Sequence, residues 1–400
     1  MRPLTGLSSP ACNGSGAELA APKPRTGMIL SDIASISPGG LSAFLRGLAH
    51  RLTGRDTAAN ILIGPGAGDA APIDAVFGGS HAYNYLVGDG SGLQGMACGH
   101  NDILIGGAWS ANILVGDAIA MGGHAKGGDD ILAGGTFSSN SLTGDALAIG
   151  DDAHGGNDLL LGGDNSANIL RGDAASLGGR AYGGDDRLYG GRFSYNEMTG
   201  DADLMSDRAS GGADLLVGGD FATNILRGDA RVLSGDARAG GDTLMGGAHA
   251  FNRLIGDADR IEGHAIAGND RLVGGANATN FIYGDGLDLA GAARGGNNVL
   301  VAGAGSTDVL WGCAASVAAT ASVGHNTFVF GPGIGHDTIM DFHRGLDVID
   351  LAGFASVGLH GFSSLSMRAS ATGLVLAFAN GGDVTVAGLS SLQASDFRFG

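Results

Sequence analysis

Apolar residues recur along this chain with a period of 28 residues for more than 200 residues. Three successive copies of the pattern are Leu160, Leu170, Leu177 and Ala181, then Leu188, Met198, Met205 and Ala209, then Leu216, Leu226, Leu233 and Ala237. The gaps of 10, 7, 4 and 7 residues do not follow the 3.6-residue period of a helix. Each apolar residue lies in a short segment bounded by Gly, Asp or Asn, which is typical of short strands between turns.

This repeat predicts an all-β fold, a parallel β-solenoid (β-helix or β-roll) in which each repeat forms one coil. A single unit cannot bury its apolar side alone, whereas stacked coils build one continuous core. At a strand spacing of ~4.8 Å, about ten coils give a rod of about 50 Å. Three short strands per coil fit 28 residues best, and a two-sided roll with a long loop is the alternative.

Three polar positions keep the same 28-residue phase, and they are called here the first Asp column, the second Asp column and the Asn column. The first Asp column, in Gly-Asp pairs, is Asp89, Asp117, Asp145, Asp173, Asp201, Asp229, Asp257 and Asp285. The second is Asp74, Asp102, Asp130, Asp158, Asp186, Asp214, Asp242, Asp270, Asn298 and Asn326. The Asn column is Asn84, Asn112, Asn140, Asn168, Asn196, Asn224, Asn252, Asn280 and Asp308. The repeat domain is expected to span residues 56–326.

The segment before the repeats has a different pattern. Leu41, Phe44, Leu45 and Leu48 lie at helical spacing, which predicts an amphipathic helix over residues 40–52. This helix would belong to an N-terminal helical cap (27–55) that covers the first coil, because an open β-edge invites aggregation. Residues 1–26 are expected to be disordered.

The segment after the repeats, residues 327–400, is expected to be a separate β-rich cap. The 28-residue rule ends there, and LVLAFANGGDVTV predicts a hairpin that turns at residues 380–382.

The composition narrows the choice of function. The net charge is −18, and only three of the 40 acidic residues are glutamate. Aspartate suits tight turns and calcium, whereas nucleic acid would require a basic face. No apolar run is long enough for a transmembrane segment, and the N-terminal residues lack the apolar core of a secretory signal.

Stacked aspartates need a reason to stay ionised, because two carboxylates ~4.8 Å apart repel by about 3.5 kcal/mol at an effective dielectric constant near 20. Bound cations are one reason, and capping of backbone N–H groups in Asx turns is the other. The second Asp column and the Asn column exchange Asp with Asn, which favours turn capping. The first Asp column never contains Asn and ends at Cys313, so it is the better calcium candidate, with a solvated turn carboxylate as the alternative.

Several motifs point to a known family. PGIGHDTIM (332–340) fits the pattern Gly-Gly-x-Gly-x-Asp-x-apolar-x at Gly333, Gly335, Asp337 and Ile339, and GNDLLLGG fits its second half. In these motifs the chain resembles the haemolysin-type, calcium-binding repeats-in-toxin (RTX) proteins of Gram-negative bacteria. The segment 327–354 looks like the block that commonly follows such repeats, and LSSLQASDFRFG is similar to C-termini exported by type I secretion.

The resemblance implies an RTX-like fold and calcium ligands, although only one segment in three keeps the Gly-x-Asp form and the leading Gly-Gly pair is mostly missing. Asp337 and Asp341 match the family block best. The candidate metal ligands are therefore Asp89, Asp117, Asp145, Asp173, Asp201, Asp229, Asp257, Asp285, Asp130, Asp158, Asp186, Asp214, Asp242, Asp270, Asp337 and Asp341.

Together these observations predict a non-catalytic, calcium-binding bacterial protein that the type I secretion machinery exports and that folds with Ca²⁺ outside the cell. No His-Glu-x-x-His or Gly-x-Ser-x-Gly motif occurs. One alternative is a metal-independent structural or adhesive extracellular rod. Another is a polysaccharide-acting β-helix enzyme, which the uniform coils and the aromatic content of 6% disfavour. Self-association and a cell-surface partner are both open.

Overall fold

The computed structural model describes residues 50–64, 74–379 and 381–400. These residues form an all-β solenoid in which successive coils hydrogen-bond to one another through parallel sheets. A full coil contributes one strand to each of three sheets, and equivalent residues 28 apart pair in register, as Leu160 does with Leu188. The predicted fold class, the period and the three-stranded coil are confirmed.

The strands are grouped here by sheet, in spatial order. The first sheet comprises His50–Thr53, Asp74–Phe77, Ile103–Ile105, Ile131–Ala133, Leu159–Leu161, Arg187–Tyr189, Leu215–Val217, Thr243–Met245, Arg271–Val273, Val299–Val301, Thr327–Val329, Val348–Asp350 and Phe397–Arg398. The second comprises Ala59–Ile63, Tyr83–Val87, Ala111–Val115, Ser139–Thr143, Ala167–Arg171, Tyr195–Thr199, Thr223–Arg227, Phe251–Ile255, Thr279–Tyr283, Thr307–Trp311, His336–Ile339, Asp383–Ala387, Gly373–Ala377 and Ser366–Ala369. The third comprises Ala118–Met121, Ala146–Ile149, Ala174–Leu177, Ala202–Met205, Ala230–Leu233, Ala258–Ile261, Gly286–Leu289 and Ala314–Val317. The 3₁₀ helices are Ala352–Val357, Phe362–Ser364 and Ala394–Asp396.

The interior contains two apolar cores that run side by side along the rod. The main core is built from the first and second sheets, with Leu160 and Leu170 as its members in one coil. The second core lies behind the third sheet and uses smaller residues, Ala174, Leu177 and Ala181 in the same coil. These side chains are completely buried, so each coil crosses from one core to the other and back.

The N-terminal prediction lies mostly outside the described residues. Residues 1–26 and all but the last part of the predicted cap (27–55) are not described. The predicted helix over 40–52 does not extend to its expected end, because His50–Thr53 is a strand that pairs in parallel with Asp74–Phe77. The apolar spacing of these residues favours a helix, but hydrogen bonding to the next coil stabilises a strand instead.

At the other end, the sheets continue across residue 326. Thr327–Val329 pairs with Val299–Val301, and the main core extends to Phe397. The predicted hairpin is present, since Gly373–Ala377 pairs antiparallel with Asp383–Ala387. The first and second sheets and the main core of the solenoid therefore continue into the C-terminal segment.

Two turns of the coil require a left-handed backbone. In the turn between the first and second sheets, one residue per coil has φ between 51° and 62°, and these residues are called the turn column: Thr57, His81, Trp109, Phe137, Asn165, Phe193, Phe221, His249, Asn277 and Gly305. The turn that follows the third sheet uses Gly95, Gly123, Asp151, Gly179, Asp207, Gly235, Gly263 and Gly291. Glycine adopts this conformation freely and bulky residues rarely do. The turn after the third sheet therefore uses the favoured residue in most coils, whereas the turn column does not.

Candidate metal centre in the buried aspartate columns

The two Asp columns lie where the chain crosses between the cores. In one coil, Asp173 immediately precedes Ala174 of the second core, and Asp186 lies two residues before Leu188 of the main core. Each column therefore marks one of the two crossings, and both are inside the rod.

The two columns face each other within each coil. Asn298 of the second column donates from Nδ2 to Oδ1 of Asp285 in the first column at 2.7 Å. These residues are 13 positions apart, the same separation as Asp173 and Asp186. Accordingly, after burial, the charge of Asp186 contributes most to raising the pKa of Asp173. Sequence reasoning did not identify this pairing of columns.

The facing pairs are inaccessible to solvent. No member of either column that has a defined burial is more than 3% exposed, from Asp89 to Asn326. The interpretation of the Gly-Asp series as solvated turn carboxylates is therefore wrong. Ionised carboxylates in such surroundings are strongly disfavoured unless they are paired.

One oxygen of each aspartate caps backbone. In the first column it accepts the N–H of the residue 11 positions later, as Asp173 accepts from Gly184 at 2.8 Å. In the second column it accepts the N–H of the equivalent aspartate in the preceding coil, as Asp186 accepts from Asp158 at 2.6 Å. The second column therefore caps backbone N–H groups as predicted, although in the preceding coil and not in an Asx turn, and the first column also caps backbone.

The other oxygen has no hydrogen-bond partner in most of these residues. Among the described residues, these unpaired atoms are Oδ1 of Asp117 and Oδ2 of Asp130, Asp158, Asp173, Asp186, Asp201, Asp214, Asp229, Asp242, Asp257, Asp270 and Asp285. Buried polar atoms are almost always paired in folded proteins, and an unpaired carboxylate oxygen is especially costly. A positive partner of some kind is required.

A glycine makes room for oxygen atoms at each pair. A Cβ on Gly172 would lie 1.7 Å from the carbonyl oxygen of Gly200 and 1.9 Å from Oδ2 of Asp186. The coils of Gly116 and Gly144 have the same arrangement. The glycine of each Gly-Asp pair therefore leaves a cradle that contains carbonyl and carboxylate oxygens, the ligand types that calcium prefers.

The two ends of the columns are closed by protein donors. At one end, Asp89 lies 2.6 Å from Nδ1 of His100, which stands where later coils have glycine, such as Gly128. At the other end, the amide of Asn298 reaches Asp285, and Cys313 follows as a buried thiol whose pKa burial raises. Sequence reasoning missed His100, although its replacement of a recurrent glycine was a usable signal.

Six central pairs have no side-chain donor among the described residues: Asp117–Asp130, Asp145–Asp158, Asp173–Asp186, Asp201–Asp214, Asp229–Asp242 and Asp257–Asp270. Burial, and then the facing carboxylates, raise the pKa of Asp173 well above its usual value. Burial raises the pKa of Asp186 to about 8 and that of Asp229 to about 6. These pairs therefore need either protons or cations to be stable.

The Asn column is satisfied without any partner from outside. Asn168 accepts the N–H of Gly163 at 3.0 Å and donates to its carbonyl oxygen at 2.9 Å. Nδ2 also donates to Oδ1 of Asn196 in the next coil at 2.8 Å. The predicted turn-capping role of this column is confirmed.

The tail closes all three columns with aspartates. Asp337 follows Asp308 in the Asn column and accepts its N–H at 3.0 Å, while its Oδ2 is unpaired and burial raises its pKa to about 8. Asp341 follows Cys313 in the first column, and both its oxygens accept backbone N–H groups, at 2.6 and 3.0 Å.

The second column ends at Asp347, which accepts the N–H of Asn326 at 2.8 Å. Sequence reasoning missed Asp347, although Gly345 and Ile349 complete the same Gly-x-Asp-x-apolar form as the repeats.

Within the ranges that the structure describes, no three His, Cys, Asp or Glu side chains form a compact metal-binding group. The columns offer facing carboxylate pairs and backbone carbonyl oxygens instead. The same ranges contain no helix long and apolar enough to cross a membrane.

Comparisons with protein-family models, curated proteins and solved structures find no match to this chain. The likeness to RTX proteins therefore rests on the sequence motifs. A solenoid of 28-residue coils is compatible with an RTX-like repeat protein.

Proposed function

We propose that this protein is a non-catalytic, calcium-binding β-solenoid that is secreted and that folds outside the cell with Ca²⁺. The observation that carries the proposal is the set of six facing aspartate pairs whose buried carboxylate oxygens have no side-chain donor. A divalent cation between the columns would neutralise both members of a pair. Asp173 and Asp186 would hold it in one coil, and the equivalent aspartates in the others.

The donor set favours calcium over other metals. The pairs present carboxylate and carbonyl oxygens only, which exclude the nitrogen and sulfur sites typical of zinc or copper. Calcium accepts irregular shells of six to eight oxygens, including backbone carbonyls, whereas magnesium demands a nearly octahedral shell and retains water. A buried cradle such as the one beside Gly172 therefore suits calcium better.

Binding would couple folding to the calcium concentration. The facing pairs exist only in the folded coil, so a cation that binds them stabilises the folded state, by about 2.7 kcal/mol for each independent site at 100 times its dissociation constant. Where free calcium is scarce, carboxylate repulsion would keep the chain unfolded and fit for export by a type I machinery. Where calcium is plentiful, the same carboxylates would hold the coils together.

The test is far-UV circular dichroism of the full chain at neutral pH, first in chelator and then during titration with calcium, with magnesium as the control ion. We expect a calcium-specific gain of β-signal. A β-signal already complete in chelator and unmoved by calcium would overturn the proposal and leave a metal-independent extracellular rod.

A further inference from the structure

The turn column carries bulky aromatic residues where its backbone favours glycine. At the turn after the third sheet, six of the eight left-handed residues are glycine, whereas only Gly305 of the ten in the turn column is. Trp109, Phe137, Phe193 and Phe221 all have positive φ there. A strained conformation kept in several coils indicates that the side chains themselves have a role.

These aromatic side chains form a stripe on the surface of the rod. Trp109 is 57% exposed and Phe193 55%. Trp109 stacks on Phe137 with ring centroids 4.4 Å apart, and Phe193 stacks on Phe221 at 5.2 Å. The rings are nearly parallel, so their faces cover one another and their edges point outwards.

The stripe is symmetric about the coil of Asn165. One coil away on either side lie Phe137 and Phe193, and two coils away lie Trp109 and Phe221. Three coils away, both residues are histidine, at positions 81 and 249, and each is accompanied by an exposed aromatic ring on the second sheet, at positions 83 and 251. The side chains thus match in kind in both directions, although Trp109 corresponds to Phe221, and such a surface suits contact with a copy of itself, because aromatic rings then meet aromatic rings.

We propose that the aromatic stripe is a self-association surface on which a second copy of this chain docks antiparallel, with the two-fold axis at Asn165. In this arrangement Phe137 meets Phe193 of the other copy, and Trp109 meets Phe221. The symmetry is isologous, so each contact occurs twice and the pairing closes at two copies. The proposal is independent of calcium binding, except that the rod must be folded.

Other occupants fit the stripe less well. A sugar ring stacks on a free aromatic face, and the faces here are covered by neighbouring rings. An anionic membrane would repel a chain with net charge −18. The stripe is about 29 Å long, six strand spacings.

A stripe of this length with one residue per coil buries less than the roughly 800 Å² per partner of a stable interface. The dimer should therefore be weak, with a dissociation constant of about 10–100 μM. Asp164, Arg192 and Asp220 border the stripe, and Asp164 would approach its own copy near the axis. We therefore expect salt to strengthen the association.

The first test is sedimentation equilibrium of the calcium-loaded chain, with circular dichroism to confirm that it is folded. We expect a monomer–dimer equilibrium that Phe137→Asn with Phe193→Asn weakens by about tenfold or more. Asparagine already occupies this column at positions 165 and 277, so the variant should fold as well as the wild type. Leu204→Thr, an exposed apolar residue on the third sheet, is the matched control and should leave the dimer unchanged.

The second test locates the axis. Under mild oxidation, Asn165→Cys should form a disulfide-linked dimer beyond the wild-type background, because only residues near the axis meet their own copies at bonding distance. Asn277→Cys, four coils away in the same column, should not. Equal cross-linking of both variants, or a folded wild type that stays monomeric up to about 500 μM, would overturn the proposal. Retention on a polysaccharide or on vesicles that Phe137→Asn abolishes would instead assign the stripe to that ligand.

Discussion

The Asn column and the two Asp columns occupy the same buried coils and differ by one atom per side chain, yet their hydrogen bonding is opposite. An amide both donates and accepts, so Asn168 pairs with the next asparagine and with its own turn. A carboxylate only accepts, so stacking carboxylates leaves an unpaired oxygen in each of the six central pairs. The amide column supports the fold under all conditions, whereas the carboxylate columns support it only when a positive partner is present.

The largest effect on folding should come from removing calcium with a chelator and then lowering the pH, so that protons neutralise the carboxylates instead. The folded pKa of Asp186 is about 8 and that of Asp229 about 6, both above the ordinary value of 3.8. Their stabilisation is complete below the ordinary pKa and is lost as pH rises through the folded values. In chelator, the chain should therefore be folded in acid and should lose β-signal between pH 6 and pH 8.

Circular dichroism across pH, with and without calcium, checks this. Calcium should move the loss of structure to higher pH or abolish it. A metal-free chain that unfolds in acid and is stable at neutral pH would show that the columns are not the controlling groups.

A smaller effect should follow from making the Asn column behave like its neighbours. Asn168→Asp removes the donor to Gly163 and to Asn196 and adds a buried carboxylate. We expect a loss of about 2–4 kcal/mol in the free energy of unfolding even in saturating calcium, measured by thermal or denaturant unfolding. The exposed variant Asp236→Asn is the control. An unchanged midpoint would mean that the amide ladder contributes little.

The reverse change should sharpen the comparison. Asp186→Asn reproduces the natural pair of Asp285 with Asn298, in which the amide donates to the carboxylate. In chelator we expect the variant to keep its β-signal to a higher pH than the wild type, by the equivalent of about 1–2 kcal/mol, because one unpaired oxygen gains a donor. Isothermal titration should show one calcium ion fewer. An equal calcium count would place the metal elsewhere.

The smallest effect on stability is expected at the N-terminal end of the Asp columns, where His100 contacts Asp89. His100→Gly restores the residue that later coils have there and removes the imidazole from Asp89. In chelator at acid pH, where the chain is expected to be folded, the melting temperature should fall by the equivalent of about 1 kcal/mol. In saturating calcium, the difference from the wild type should shrink, because a cation would replace the imidazole. A fall that calcium does not reduce would indicate lost packing alone.

The period of the columns was predictable because every coil repeats it, and the strand positions follow from the apolar residues between turns. The facing of the columns was not, because Asp173 and Asp186 meet only after the coil has crossed between two cores. The turn column was not predictable for another reason. Trp109, Asn165 and Phe221 recur at the 28-residue period but are different residue types, so no repeated residue marks the position. The prediction of an N-terminal helix was wrong from His50 onwards, because pairing with the next strand overrides the helical spacing of the apolar residues.

In the Asn column and the second Asp column, the hydrogen bonds between coils all point one way. Asn168 donates to Asn196 and the N–H of Asp158 donates to Asp186, so in each case the acceptor belongs to the later coil. At the last coils the acceptors are Asp337, Asp341 and Asp347, whose carboxylates do not donate and so need no acceptor in a further coil. These two columns therefore have a polarity, and the C-terminal segment supplies their last acceptors. Folding that nucleates there would propagate towards the N-terminus, each new coil meeting a template that is already complete.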